Sequence, residues 1–443
     1  MLGKITDIFK KKKTNVLLFC STCRDYALAE EISKSKLLNK LYLFGRNHNA
    51  AKFGEFLELT NANLGLMLKE KKIDIVIAFD PFISSGGIID YIKKISMAKV
   101  IGVTQHWVEL EGLKTFGKRF MDANNILTPE HFVIKKNEDI STAISKLEFP
   151  LVIKRDVECN GFGTYILKTK EEAEKQVNEL LSKEEISVFD VKDGKLLPTK
   201  TTLIAEKFIV GQEISLMMFW DGKTLLPLLP VRDYKRLKDN DEGINTGGLG
   251  SYIPLRISKM QDKLIKNYVK NLQKVLRKNK VDYIGVIYSG LMHKTNSNEL
   301  YTLEFNTRIG DPEGQAILEH LDSDILDVFI KMSKQKLANT KLKWKSGTSA
   351  CVVIVDEDYK LNLYEEKKAE LSIGINNPNI KIQYGQFDYE NDKKIKYLSC
   401  NRLISVCANL DNVPLSELYK EIEQVSFNSE YYRKDIAREI CNE

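Results

Sequence analysis

Long apolar runs are missing from this chain. No stretch approaches the roughly 18 uninterrupted apolar residues that a spanning helix requires, although 43% of its 443 residues are hydrophobic. No membrane role is therefore expected. The composition is globular, with length enough for about three or four domains or subdomains. A dominant sign of charge is missing too. Sixty-seven Lys and Arg stand against 61 Asp and Glu, leaving +6. The densest basic run, Lys10 to Lys13, reads as a solvated tail, and nucleic-acid binding is not expected. Met1 to Asn15 lacks the apolar core of a signal peptide, so a cytoplasmic location is expected. Cysteine pairing is also poorly supported. The seven cysteines lie at 20, 23, 159, 351, 400, 407 and 441, an odd and scattered set that does not make a disulfide framework. Cys20 and Cys23 form one C-x-x-C, but with five histidines and no second such pair it reads as small residues in a turn. No nucleophilic triad, internal repeat or low-complexity linker stands out.

What is present is alternation. Apolar runs at Asn15–Cys20, Lys40–Phe44, Asp74–Phe79 and Lys99–Val103 alternate with helical patterns at Arg24–Lys34 and Ser85–Ile95. That order predicts a doubly wound parallel sheet over residues 1–112. A helix is expected over Gly112–Asn124. Pro150–Lys154 and Tyr165–Lys168 read as a hairpin, followed by a helix at Glu171–Ser182 and a polar, turn-rich stretch at 183–200. Residues 130–203 are expected to form a mobile α+β lid. Strands then crowd together at Thr202–Phe208, Glu213–Trp220, Thr224–Val231, Tyr283–His293 and Leu300–Phe305. Helices are expected at Met260–Lys278 and Leu318–Lys334. A small α+β unit, 338–443, carries strands near Ser349–Val355 and Arg402–Ala408.

The chemistry concentrates in Tyr301–Gln315, Y-T-L-E-F-N-T-R-I-G-D-P-E-G-Q. Strand alternation points Glu304 and Asn306 the same way. A carboxylate beside an amide oxygen suits a hard divalent ion such as Mg²⁺. Arg308, expected on the same face, is a donor fork for a carboxylate or phosphate. Lys154 ends a strand before Gly161 and Gly163, whose amides can approach phosphate closely. Lys114 is a second candidate phosphate contact. The hinge Glu206-Lys207-Phe208-Ile209 offers main chain to a flat heterocycle, and Glu213 offers a carboxylate to ribose hydroxyls. Asp233-Tyr234-Lys235-Arg236 precedes Asn245-Thr246-Gly247-Gly248-Leu249-Gly250, a loop whose amides can wrap a reacting carboxyl.

These pieces, in this order, resemble the phosphoribosylamine–glycine ligase family (glycinamide ribonucleotide synthetases) of the ATP-grasp superfamily. The matching segments run from Leu110–Lys114 through Pro150–Lys154, Glu206–Glu213, Asp233–Arg236, Asn245–Tyr252, Gly285–Met292 and Leu303–Gln315 to Tyr431–Ile436. The resemblance implies an α/β and α+β architecture: an N-terminal doubly wound parallel-sheet domain, an ATP-grasp domain at 113–337 and a small C-terminal α+β domain. It implies that Lys114 and Lys154 contact ATP phosphates, Glu206, Phe208 and Ile209 the adenine, and Glu213 the ribose. Glu304 and Asn306 would hold Mg²⁺ or Mn²⁺. Arg308, Asp233, Asn245, Gly247 and Gly248 would position the acceptor carboxylate, glycine or a similar acid. The implied reaction passes through an acyl phosphate that an amine attacks, in purine synthesis. The family is monomeric or dimeric.

The chain departs from the family on the amine side. The usual G-S-G-G-R-E-H-A-L reads Cys20-Ser21-Thr22-Cys23-Arg24-Asp25-Tyr26-Ala27-Leu28, keeping Ser21 and Arg24 but none of the glycines. The usual G-P-E-A-P-L reads Phe79-Asp80-Pro81-Phe82-Ile83-Ser84, and Asp80 would repel a phosphate that faced it. A lysine usual between the lid glycines is Phe162. Three readings follow: phosphoribosylamine with altered contacts, a ligase for a different amine, or a nucleotide-binding relative without catalysis.

Overall fold

The computed structural model describes residues 13–135, 144–145, 147–157, 163–182, 185–192, 195–199, 201–359 and 365–440. A five-stranded parallel sheet opens the fold. Its order is Glu55–Phe56, Leu38–Phe44, Thr14–Phe19, Ile75–Ile77, Lys99–Ile101. The near-continuous apolar runs of the inner strands are what a sheet covered on both faces requires. Helix Cys23–Ser33 follows the first strand, and Thr22 and Asp25 close its N-terminus as a capping box. One helix was expected over Ser85–Ile95. Two form, Pro81–Ser85 and Ile88–Ile95. The chain breaks at Gly86-Gly87 because Gly87 adopts φ +75°.

A four-stranded antiparallel sheet follows, ordered His131–Lys135, Thr202–Lys207, Leu151–Arg155, Thr164–Leu167. Helix Lys170–Ser182 packs Ala173, Val177, Leu180 and Leu181 onto it. The stretch expected to be turn-rich, 183–200, instead contains paired strands Glu185–Lys192 and Lys195–Thr199. Its Ile, Val and Phe content and the Asp193-Gly194 pair are hairpin signals that polarity obscured.

A second four-stranded antiparallel sheet runs Leu225–Pro227, Gly211–Trp220, Gly285–Lys294, Leu300–Asn306. The strand expected over Thr224–Val231 shrinks to Leu225–Pro227. Pro227 and Pro230 cannot donate to a ladder, and Val231 rejoins only as an isolated bridge to Ser215. Helix Lys259–Lys278 is capped by Ser258 and Gln261. The single helix expected over Leu318–Lys334 is two, Glu313–His320 and Ile325–Ser333. Asp324 interrupts it by accepting from the amides of Leu326 and Asp327 as a new N-cap.

The remaining large sheet crosses the expected boundary at 338. It joins Arg232–Asp233 and Gly250–Ile253 to Ser349–Asp356, Arg402–Asn409 and Ile380–Tyr384, with Glu430–Tyr431 at one side. The glycine-rich loop is thus anchored in a sheet built largely from C-terminal strands.

Candidate functional site

Strand Leu300–Asn306 lies against Gly285–Lys294, with Glu304 opposite Gly290 and Asn306 opposite Tyr288. A Cβ at Gly290 would come within 3.3 Å of the Glu304 Cγ, so glycine leaves the carboxylate its room. Burial alone would raise the Glu304 pKa. The cations of Lys235, Lys114, Lys154 and Arg308 outweigh it and bring the group down to about 2. Asn306 is buried. Glu304, Asn306, Lys114 and Glu206 line one crevice with Lys118 and Glu111. The donor set is an ionised carboxylate beside an amide, both hard oxygen ligands, and it fits a divalent ion completed by phosphate oxygens.

The two predicted lysines are brought together by a residue outside the motifs. Asp156, just past strand Leu151–Arg155, accepts from the Thr115 amide at 2.7 Å and its hydroxyl at 3.0 Å. Its carbonyl takes the Lys114 amide at 2.8 Å. Helix Lys114–Ala123 therefore starts beside the strand that carries Lys154. Lys154 is buried and pairs with Glu206 at 2.9 Å; Lys118 pairs with the other Glu206 oxygen at 3.0 Å. Burial pushes the Glu206 carboxyl up, but the two ammonium groups outweigh it and its pKa falls. The Glu206 side chain is thus occupied by lysines. In the hinge, the Lys207 amide donates to the Glu130 carbonyl at 2.8 Å, while Ile209 is buried and Phe208 half-buried. Glu213 makes an ion pair with Lys235. Gly163 lies at the foot of strand Thr164–Leu167, where its carbonyl accepts from the Arg155 amide. Gly161 and Phe162 lie outside the described residues.

Strand alternation ends at Asn306 and so does not set the direction of Arg308, whose charge still lowers the Glu304 pKa. Glu111 holds it. One Glu111 oxygen holds the Arg308 Nε at 2.7 Å, and the other accepts from the Thr307 amide at 2.8 Å and hydroxyl at 3.0 Å.

On the loop side, Gly248 has φ +103°, and a Cβ there would sit 2.5 Å from Pro312 Cδ and 2.8 Å from Asp233 Oδ1. No other residue fits. Asp233 Oδ1 is buried without a hydrogen-bond partner. Burial, reinforced by the neighbouring Glu313 carboxylate and opposed by Lys235, raises the Asp233 pKa well above the ordinary carboxylate range. The Asn245 side-chain amide reaches the Thr164 carbonyl at 3.4 Å, joining the loop to the second sheet. The Gly247 carbonyl accepts from Arg402 at 2.5 Å.

The residues expected on the amine side are engaged within the chain. The Ser21 and Thr22 amides both donate to Asp25 Oδ2, at 2.9 and 3.0 Å. Arg24 is buried, held by Asp25 at 2.8 Å and the Ile309 carbonyl at 3.0 Å. Asp80 caps its own short helix by accepting from Phe82 and Ile83. Burial and nearby Asp25 raise its pKa, with Arg24 opposing. Cys20 and Cys23 are buried, and burial pushes both thiols up.

Sequence reasoning passed over Glu111, Lys118, Asp156 and Arg402. Two had a local signal: Glu111 lies in the same motif as Lys114, and Lys118 is one helical turn beyond it. Asp156 and Arg402 act on residues about 40 or more positions away, and no spacing marks them.

Residues 112–314 match the family model described as "Phosphoribosylglycinamide synthetase, ATP-grasp (A) domain". The chain is 30% identical to a phosphoribosylamine–glycine ligase of Caldanaerobacter subterraneus over 428 residues, 94% of this chain and 97% of the relative. Its fold is similar to a crystal structure of phosphoribosylamine–glycine ligase from Thermotoga maritima, with TM-score 0.77, 24% identity, and coverage of 96% and 100%. It is also similar to the biotin carboxylase domain of a 2-oxoglutarate carboxylase from Hydrogenobacter thermophilus, solved with magnesium ADP, with TM-score 0.68, 16% identity, and coverage of 95% and 91%. The architecture is therefore the ATP-grasp fold, of mixed α/β and α+β character.

Proposed function

The chain belongs to the phosphoribosylamine–glycine ligase family, and from that premise we propose that it joins glycine to phosphoribosylamine at the expense of ATP, giving glycinamide ribonucleotide, ADP and phosphate. The observation that carries this reading is Glu304: a carboxylate held ionised by Lys114, Lys154, Lys235 and Arg308, beside Asn306. Such a group is a ready seat for a metal–triphosphate pair. Glu304 and Asn306 would hold Mg²⁺ or Mn²⁺, which neutralises phosphate charge when bound. The magnesium ADP bound by the similar biotin carboxylase domain agrees with this assignment. Lys114 and Lys154 take the nucleotide phosphates. The Phe208–Ile209 main chain and Glu213 take the adenosine, with Glu213 exchanging Lys235 for the ribose. Residues 130–203 act as the lid that excludes water, 1–112 supply the amine side, and 338–443 pack the acyl side.

The acceptor carboxylate attacks the terminal phosphorus, and the amine then attacks the acyl phosphate, with phosphate leaving. These steps need alignment, charge neutralisation and dryness more than a strong protein base. Arg308, aimed by Glu111, and the Asn245–Gly248 loop orient the carboxylate. Asp233 is a short step from that loop and receives the amino group of the acid.

A second reading keeps the reaction and changes the amine. It is favoured by the Ser21 and Thr22 amides already spent on Asp25, and by Asp80 where a phosphate would be repelled. One assay decides: ADP release with glycine and phosphoribosylamine, against a panel of other amines. Turnover with phosphoribosylamine is the expected outcome. Its absence, with turnover on another amine, would transfer the assignment to the second reading.

A further inference from the structure

Arg402 starts the C-terminal strand Arg402–Asn409, far in sequence from every motif of the site. Its side chain nevertheless lies inside it. One terminal nitrogen donates to the Gly247 carbonyl at 2.5 Å and to the Asp311 carbonyl; the other meets the Asp311 carboxylate at 3.0 Å. A planar guanidinium can make these contacts together, whereas an ammonium lacks the fixed fork. The Arg402 carbonyl, in turn, receives the thiol of Cys23 at 3.6 Å, at the start of the amine-side helix. The backbone beside it is closely fitted: a Cβ at Gly385 would fall 2.1 Å from the Arg402 carbonyl oxygen.

The effect on the glycine loop is specific. The peptide joining Gly247 and Gly248 is a rigid plane. Its carbonyl end is held by Arg402, and its amide end donates to the Thr246 hydroxyl at 3.0 Å. With both ends fixed, the plane has no freedom to turn, and Gly248 stays pressed between Pro312 and Asp233. Asp311, the other partner, is buried and also accepts from Gln315 at 2.7 Å. One side chain thus ties the loop to the segment that follows Arg308.

We propose that Arg402 is a positioning residue of the ligase site, which fixes the Gly247–Gly248 peptide against Asp311 and thereby sets the seat of the carboxylate substrate. This rests on the ligase reading above. It gives the C-terminal part a share in the reaction without contact to the reacting atoms. Misplacing a substrate seat by about 1 Å costs on the order of 100-fold in rate, so the consequence is measurable.

The test uses the full chain with Arg402→Ala, Arg402→Lys and wild type, and separate KM values for glycine, amine and ATP. The expected result for Arg402→Ala is a glycine KM raised on the order of 10-fold or more with lower kcat, and an ATP KM within about twofold of wild type. Millimolar guanidinium ion should restore part of the loss in Arg402→Ala and none in wild type. Arg402→Lys keeps the charge without the fork and should show the same split in smaller degree; it carries the test if the alanine variant does not fold. An unchanged glycine KM, or equal rises in all three KM values without guanidinium rescue, overturns the proposal. A wild type that turns over no substrate overturns both this proposal and the ligase reading, whereas an active wild type with an unchanged variant overturns this proposal alone.

Discussion

Asp233 shows how the site departs from what stability alone would choose. Its Oδ1 is buried and unpartnered, and its pKa is raised by burial and by Glu313. An acid whose pKa rises on folding binds its proton more tightly when folded. Its favourable share is complete below the unfolded value and is lost as pH rises through the folded one. Above the unfolded value the Asp233 carboxyl therefore costs stability. Asp233→Asn should raise the unfolding free energy by about 1 kcal/mol at pH 7 to 8, and the gain should fade as pH falls toward 4. The same variant should lose most turnover. Thermal unfolding across pH, beside steady-state rates, checks both. A variant that is less stable at pH 8 would mean the carboxylate is satisfied by a partner and is structural.

At the scale of elements, the glycine-rich loop is braced by the chain's last described segment. The hairpin of Arg236–Lys238 and Glu242–Asn245 leads into the glycine turn. Arg433, whose side chain is fully buried, bonds the Arg236 carbonyl at 3.0 Å, Asp241 at 2.9 Å and Asp435 at 2.6 Å. It also lies 4.9 Å from the centre of the Tyr234 ring. Arg433→Gln strands these partners. Asp241 is 44% exposed, so its share is screened, and the expected loss is about 2 kcal/mol rather than the full cost of breaking a buried pair. Chemical denaturation measures it. A loss below about 0.5 kcal/mol would show that the hairpin holds itself. The brace also explains what the sequence made legible and what it hid. Glu304 and Asn306 were readable because strand period acts over two residues, and Gly248 because only glycine tolerates its backbone. The broken helices at Gly86-Gly87 and Asp324 were readable in principle, but apolar periodicity ran across both breaks. Asp156 and Arg402 were not readable, because their partners lie about 40 to more than 150 positions away and are chosen by packing; Glu111 had a motif beside it, but its partners near 308 are almost 200 positions on. Length gave an expectation of about three or four domains or subdomains, and the large sheet takes strands from both sides of residue 338.

At the scale of the molecule, four cations act on one carboxylate. Lys235, Lys114, Lys154 and Arg308 all pull the Glu304 pKa down, to about 2. For a depressed acid, the stabilising share is present above its unfolded value and is lost as pH falls through the folded one. It is complete at pH 7 and should decay between about 4.5 and 2. Glu304 is thus both a counter-ion of the cationic cluster and the proposed metal ligand. Removing it takes away a counter-charge these cations share beyond their own carboxylate partners, so Glu304→Ala should melt somewhat lower than wild type without ligand. Magnesium ADP at about 100 times its dissociation constant should stabilise wild type by about 2.7 kcal/mol, by mass action. Glu304→Ala at the same ligand concentration should keep little of that increment, while ADP without magnesium should affect the two proteins alike. A thermal-shift titration with and without the metal separates these outcomes. Equal metal-dependent increments in both proteins would place the ion away from Glu304. The cations around this carboxylate would then serve the phosphates directly, and the common crevice of Lys114, Glu304 and Asn306 would be a charge seat without a metal.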